Sequence, residues 1–199
     1  MKYVINRVKN ADFSLAEVAK IEEYRWEKGY SPRAEARLLY VAGKGFALQM
    51  RAYEQNPKAV YGSYNDPVYK DSCLEFFVSF NKNSPKYMNF EMNSRGAFLA
   101  AVRTDRKNNT PIHELASALP EVKPVKGKGW WGVEAFFTLE FIKQTFGVSR
   151  FCRGDVIKGN FYKCGDETPQ PHYGMWSPVG TETPDFHRPE YFGELVIGG

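Results

Sequence analysis

The chain has 199 residues, 43% of them hydrophobic and 25% charged, with a formal net charge of +4. That length supports one sizeable core, and the composition is that of an ordinary soluble globular protein. The small charge, whose densest patch "EVKPVKGKGWW" carries a Glu and no helical spacing, argues against a nucleic-acid partner.

In chain order, a short strand is expected near Tyr3–Ile5. "SLAEVAKIEEYRW" then offers a Ser N-cap and helical spacing, which predicts a brief helix. Ala36–Val41 and Phe46–Tyr53 form a hairpin around a Gly-flanked turn. "LEFFVSFNKNSPKYMNFEMN", residues 74–93, is a second hairpin closed by "NKNSPK". "GAFLAAVRT" and "WWGVEAFFTLE" supply further strands, and the latter runs into a short helix, "LEFIKQTFG", that Gly147 can end. "VIKGNFYKC" and "YFGELVIG" are strands, separated by the Pro- and Gly-rich loop 165–190. Many short strands with little helix between them predict an all-β fold, an antiparallel β-sandwich with one or two short helices. No linker or repeat divides the chain, so residues 1–199 are expected to form one domain.

No segment has the length or apolarity of a membrane span or signal peptide, so no membrane partner is expected. A cytoplasmic location is favoured unless a leader has been removed. Three cysteines write no disulfide framework. Cys152 and Cys164 could meet across strands, but reduced, partly buried thiols are the simpler reading. The spacing of Cys152, Cys164, His172 and His187 fits no zinc finger or knuckle, and Asp66, Asp71 and Asp185 match turn chemistry rather than an EF-hand loop.

The second hairpin carries the chemistry. Leu74, Phe76, Val78 and Phe80 share one face with Met88, Phe90 and Met92, and that face is core. The other face carries Glu75, Phe77, Tyr87, Asn89, Glu91 and Asn93. Plausible registers set Glu75 against Glu91 or Asn93, and like charges opposed across strands need compensation. A solvated outer face is the ordinary fate of such residues. Asn89, Glu91 and Asn93 are nevertheless poor strand formers in succession, and they are interleaved with rings. Carboxylates and amides pair with sugar hydroxyls, and rings cover the C–H faces of sugars. Tyr69, after Pro67, and Trp176, in "PHYGMWSPVG", are the aromatics that flank this face. A glycosidase is the catalytic alternative, since Glu75 and Glu91 could lie within the roughly 5–9.5 Å that such enzymes use.

"YNDPVYKDSCLEFFVSF", "YMNFEMNSRG", "GNFYKCGDETPQPHYGMWSP" and "PDFHRPEYFG", in that order, resemble the carbohydrate-binding family 9-like domains. These are relatives of the family 9 modules attached to xylanases. The resemblance runs from "EYRW" to the end of the chain. It implies a jelly-roll type of sandwich that holds a terminal sugar unit between two aromatic side chains, without catalysis, in carbohydrate catabolism. By motif position it assigns Tyr69 and Trp176 to the clamp, and Glu75 and Asn93 to the sugar hydroxyls. Glu91 stands where the xylanase modules can carry an arginine, and it is supported, like Asn89, by pattern alone. The implied partner is a mono- or oligosaccharide, with a glycoside hydrolase in the same pathway. No cofactor is implied, although some of the modules hold calcium. A structural or interaction sandwich with a decayed sugar site is the remaining alternative.

Overall fold

The computed structural model describes residues 1–26 and 29–199. Its strands are β1 (Lys2–Val8), β2 (Ala19–Ile21), β3 (Glu23–Tyr24), β4 (Ala34–Val41), β5 (Gly45–Ala52), β6 (Cys73–Ser79) and β7 (Tyr87–Asn93). They continue with β8 (Phe98–Arg103), β9 (Asn109–Pro111), β10 (Glu121–Gly127), β11 (Trp130–Thr138), β12 (Val156–Cys164), β13 (Tyr173–Met175) and β14 (Gly193–Ile197). The α-helix among the described residues is α1 (Leu139–Phe146). The Thr138 hydroxyl accepts its Phe141 N–H at 3.0 Å, and Gly147 closes it at φ 73°. No helix among the described residues is long and apolar enough to cross a membrane.

Two layers pack face to face. One runs β10-β11-β5-β4-β1, with β2 on the flank of β4. The other runs β14-β12-β6-β7-β8-β9, with β13 on β12 and β3 on β13. β1 joins them: Lys2–Ile5 lie parallel to β14 in one layer, and Asn6–Val8 lie parallel to β4 in the other. The fold is therefore the expected all-β sandwich, but its sheet is mixed rather than purely antiparallel. Sequence periodicity cannot reveal this, because a strand that serves two layers looks like any other.

A second correction concerns "SLAEVAKIEEYRW". It forms a single 3-10 turn at Phe13–Leu15 and then β2 and β3, which pair with β4 and β13. Ala19 and Ile21 are buried on either side of exposed Lys20, a period of 2 that a short window confuses with helical spacing.

The interior is the predicted apolar face of the hairpin, Leu74, Phe76, Val78, Met88, Phe90 and Met92, packed against Leu38, Phe46, Leu48, Met50 and Phe137. Phe76 stacks on Phe161 with ring centroids 5.0 Å apart. Each fully buried side chain of this size contributes roughly 1.5–3 kcal/mol of burial free energy. The opposite face of the hairpin is not solvated. The end of β13 and the segment after it fold over that face, so that Met175, Val179, Phe186 and Phe192 pack on Phe77, Tyr87 and Tyr162. Tyr162 and Phe186 stack at 4.0 Å. This second apolar cluster roofs the polar residues and leaves a cavity between roof and sheet.

Candidate functional site

Strand register places the polar residues in rows across the outer face. Tyr173, Cys164, Cys73 and Asn93 form one row, through β13, β12, β6 and β7. Met175, Tyr162, Glu75, Glu91 and Leu99 form the next. Glu75 is thus directly opposite Glu91, the first of the two registers expected from the sequence. A cavity of ≈ 460 Å³ opens over these rows, within the size range of small-ligand sites. Glu75, Phe77 and Glu91 lie in its floor, Tyr69 and Tyr173 in its walls, Arg103 and Arg106 at one side, and Phe186 and His187 under the roof.

The acids of the floor are held in an unusual state. Glu75 is 3% exposed and Glu91 4%. Burial first, and the charge of Glu91 second, push the Glu75 carboxyl well above the ordinary range. Burial pushes Glu91 up to about 7, although the Asn89 amide and the Arg103 guanidinium oppose it. The wall acid Asp166 is raised to about 6, chiefly by burial. One Glu91 oxygen accepts from Asn89 Nδ2 at 2.8 Å, whereas the other, Oε2, is buried with no hydrogen-bond partner. Leaving such an oxygen unpaired costs about 1–3 kcal/mol. At the rim, burial, with Arg103 and Arg106 nearby, holds the His187 imidazole down at about 3. His187 is therefore neutral at pH 7, and its Nδ1 lies 3.1 Å from the Tyr87 hydroxyl.

The six residues singled out in the sequence divide into two groups. Tyr69, Glu75 and Glu91 meet at the cavity. Asn89 is fully buried behind it: its Nδ2 donates to Glu91 and its Oδ1 accepts Arg103 Nε at 2.7 Å, so it positions two cavity residues. Asn93 is also fully buried, and its polar atoms are consumed by the chain. Nδ2 donates to Tyr61 O and Asp71 Oδ2, and Oδ1 accepts the Arg95 and Ala97 N–H groups. Its role is to fasten the end of β7 to the 60–71 segment, and its hydroxyl-binding assignment is corrected accordingly.

Trp176 is likewise corrected. It is 5% exposed, its ring packs edge-on to Tyr3 and Phe161 in the sandwich interior, and a Cβ on Gly193 would come within 2.4 Å of it. The reason is strand parity. Tyr173 and Met175 face the cavity side, so Gly174 and Trp176 face the core; one residue of offset reverses the face. The wall ring on this strand is Tyr173, in T-shaped contact with Trp26 at 5.9 Å. Sequence reading missed Arg103, Asp166 and Tyr173 as cavity residues. For Tyr173 a signal existed in its alternation with Met175. Arg103 and Asp166 had none, because one is the terminal residue of β8 and the other lies in a loop.

The cysteines are free thiols, as the simpler sequence reading expects. Cys152 is exposed and away from Cys164, which instead lies directly across from Cys73 in the β6–β12 ladder. The turn acids Asp66 and Asp71 accept backbone N–H groups, from Gly62 and Ser63 and from Val60 and Tyr61, as turn chemistry predicts.

A sandwich with a ring-walled, acid-floored cavity on one sheet face is of the carbohydrate-binding class. The chain belongs to carbohydrate-binding family 9, whose model matches residues 8–197. Among solved structures it is similar to a candidate carbohydrate-binding protein from Bacteroides uniformis ATCC 8492, at 25% identity, with 98% of each chain covered and a TM-score of 0.82. It also shares its fold with a family 9 module from Caldicellulosiruptor kristjanssonii solved with cellotriose (11% identity, 100% of this chain and 94% of that one, TM-score 0.71). The glucose complex of a family 9 module from that organism gives 11% identity, 100% and 96% coverage and a TM-score of 0.69. No curated protein matches the chain in sequence. Membership makes this a non-catalytic carbohydrate-binding protein, in whose floor Glu75 and Glu91 sit side by side.

Proposed function

We propose that residues 1–199 act as one module that binds a terminal unit of a mono- or oligosaccharide in the ≈ 460 Å³ cavity. Tyr69 and Tyr173 supply the apolar walls, and Glu75, Glu91 and Arg103 pair the hydroxyls. The observation that carries this reading is the ring-walled cavity with Glu91 in its floor, whose Oε2 is a buried acceptor left without a partner in the chain. The family 9 structures with cellotriose and glucose make a sugar the natural occupant. A role beside a glycoside hydrolase in carbohydrate catabolism fits the same reading. Three free thiols fit a reducing, cytoplasmic setting. Calcium has no part in the proposal, because Asp66 and Asp71 are already engaged by the backbone.

Calorimetry against glucose, cellotriose and a wider sugar panel tests it. Tyr173→Ala and Glu91→Gln should each weaken binding about tenfold, since a ring contact or a hydroxyl pairing is worth roughly 0.5–1.5 kcal/mol. Binding unchanged in both variants, or no heat with any sugar on folded protein, would refute it.

A further inference from the structure

The two rows under the cavity contain a second constellation, which shares only Glu75 with the proposed sugar contacts. Cys73 and Glu75 stand two residues apart on β6, on one face, and Cys164 is the register partner of Cys73 on β12. Sheet geometry alone therefore brings two thiols and a carboxyl together. Their donor atoms all lie within 4.8 Å of one another, with Cys164 Sγ 2.9 Å from Glu75 Oε1. A fourth group joins from the loop: the Asp166 carboxyl contacts the Cys164 thiol, and its backbone N–H is fixed by Tyr69 O at 3.1 Å.

We propose that Cys73, Cys164, Glu75 and Asp166 bind a thiophilic divalent cation of the Zn²⁺ type at the base of the cavity. Zn–S bonds of about 2.3 Å and Zn–O bonds of about 2.0–2.2 Å in a tetrahedron set donor separations of roughly 3.3–3.8 Å. The Cys73, Cys164 and Glu75 donors, all within 4.8 Å of one another, need only small shifts to reach those distances, and Asp166 would close the set from the loop. Two sulfurs exclude calcium, which takes about 6–8 oxygens, and favour a borderline or soft metal. Glu75, Cys164 and Asp166 line the cavity, so the cation has a way in.

Packing alone is a poor explanation for the cluster. The single Cys164 thiol proton faces Glu75, Asp166 and the Tyr69 carbonyl together. Among the described residues none of Glu75, Glu91 and Asp166 has an ion-pair partner, and Oε2 of Glu91, the register partner of Glu75, is unsatisfied. Burial raises the pKa of both thiols, that of Cys73 to about 12, so both are protonated and metal entry has to expel their two protons to solution. Spacing along the chain does not reveal this set, because Cys73 lies far from Cys164 in sequence and only the β6–β12 pairing brings them together.

The test is made without sugar, so its outcome is independent of the sugar reading. The full chain carrying Cys152→Ser, which removes the exposed competing thiol, is kept reduced with a phosphine and titrated with Co²⁺ alone. One equivalent should give the intense visible absorption of a tetrahedral site together with thiolate charge-transfer bands, and Zn²⁺ should displace it. Cys73→Ser and Cys164→Ser should each weaken Co²⁺ binding by at least about 100-fold. A weak six-coordinate spectrum without thiolate bands, or tetrahedral bands that survive both substitutions, would overturn the proposal. Should those variants fail to fold, peptide-resolved alkylation of the Cys152→Ser protein decides: Zn²⁺ should slow modification of Cys73 and Cys164 at least tenfold, and unchanged rates would overturn it.

Discussion

Replacing Glu91 by Gln isolates the energetic cost of the acid pair. The Glu91 carboxyl rises from an ordinary 4.5 to about 7 in the fold, chiefly through burial. Below pH 4.5 it is protonated in both folded and unfolded chains. Between pH 4.5 and about 7 only the folded chain keeps the proton, so stability falls as pH rises; above about 7 the contribution is lost. At ~1.4 kcal/mol per pH unit this amounts to on the order of 3 kcal/mol. Burial and the charge of Glu91 also hold the neighbouring Glu75 carboxyl well above the ordinary range. His172 and His187, held down at about 4 and about 3, act in the opposite direction below pH 6.5. They are common to both proteins and cancel in the difference. Gln keeps the acceptor for Asn89 Nδ2. Urea denaturation of wild type and Glu91→Gln, from pH 4.5 to 8, should show the variant gaining on wild type by on the order of 3 kcal/mol up to pH 7 and then levelling. A difference that stays constant with pH would show that Glu91 ionises normally, and the account of the floor would fail.

Two further substitutions separate stability from binding. Trp176→Ala should cost about 3–5 kcal/mol in denaturant unfolding, as for a large core ring, and a variant that lost sugar binding at unchanged stability would return Trp176 to the site. Lys163→Met should cost a similar amount, because Glu54 Oε2 would lose the buried ammonium 3.2 Å away and keep only Ser72 and Trp131. Adding Glu54→Gln should recover much of that loss, and a purely additive double variant would sink the ion-pair explanation.

The apolar face of the hairpin was legible because alternation over Leu74–Phe80 and Met88–Met92 leaves one arrangement that buries every large side chain. The opposite face was half legible. Its residue types announced a ligand, and Glu75 and Glu91 do reach the cavity, but the same amide types at Asn89 and Asn93 are spent on holding neighbours. Amide chemistry is identical in the two roles, so only the roof and the ladder rows distinguish them. Most of the roof, which runs from Tyr173 to Phe192, falls in the loop expected over residues 165–190, yet its first residues are a short strand.

That misreading explains the Trp176 assignment, and it bears on how such cavities form. Once β13 pairs with β12, parity fixes Tyr173 towards the cavity and Trp176 towards the core, so a large ring that looked free to stack on a ligand is committed to joining β14 to the sandwich through Gly193. The anchoring has a functional consequence. The segment that carries the wall ring, the roof aromatics and His187 is held on one side by a buried tryptophan and on the other by the Phe186–Tyr162 stack. A neutral ligand gains only about 0.5–1.5 kcal/mol per hydroxyl, too little to order a loose loop of this length at roughly 1–2 kcal/mol per residue. The site can work only because the core has already ordered its walls.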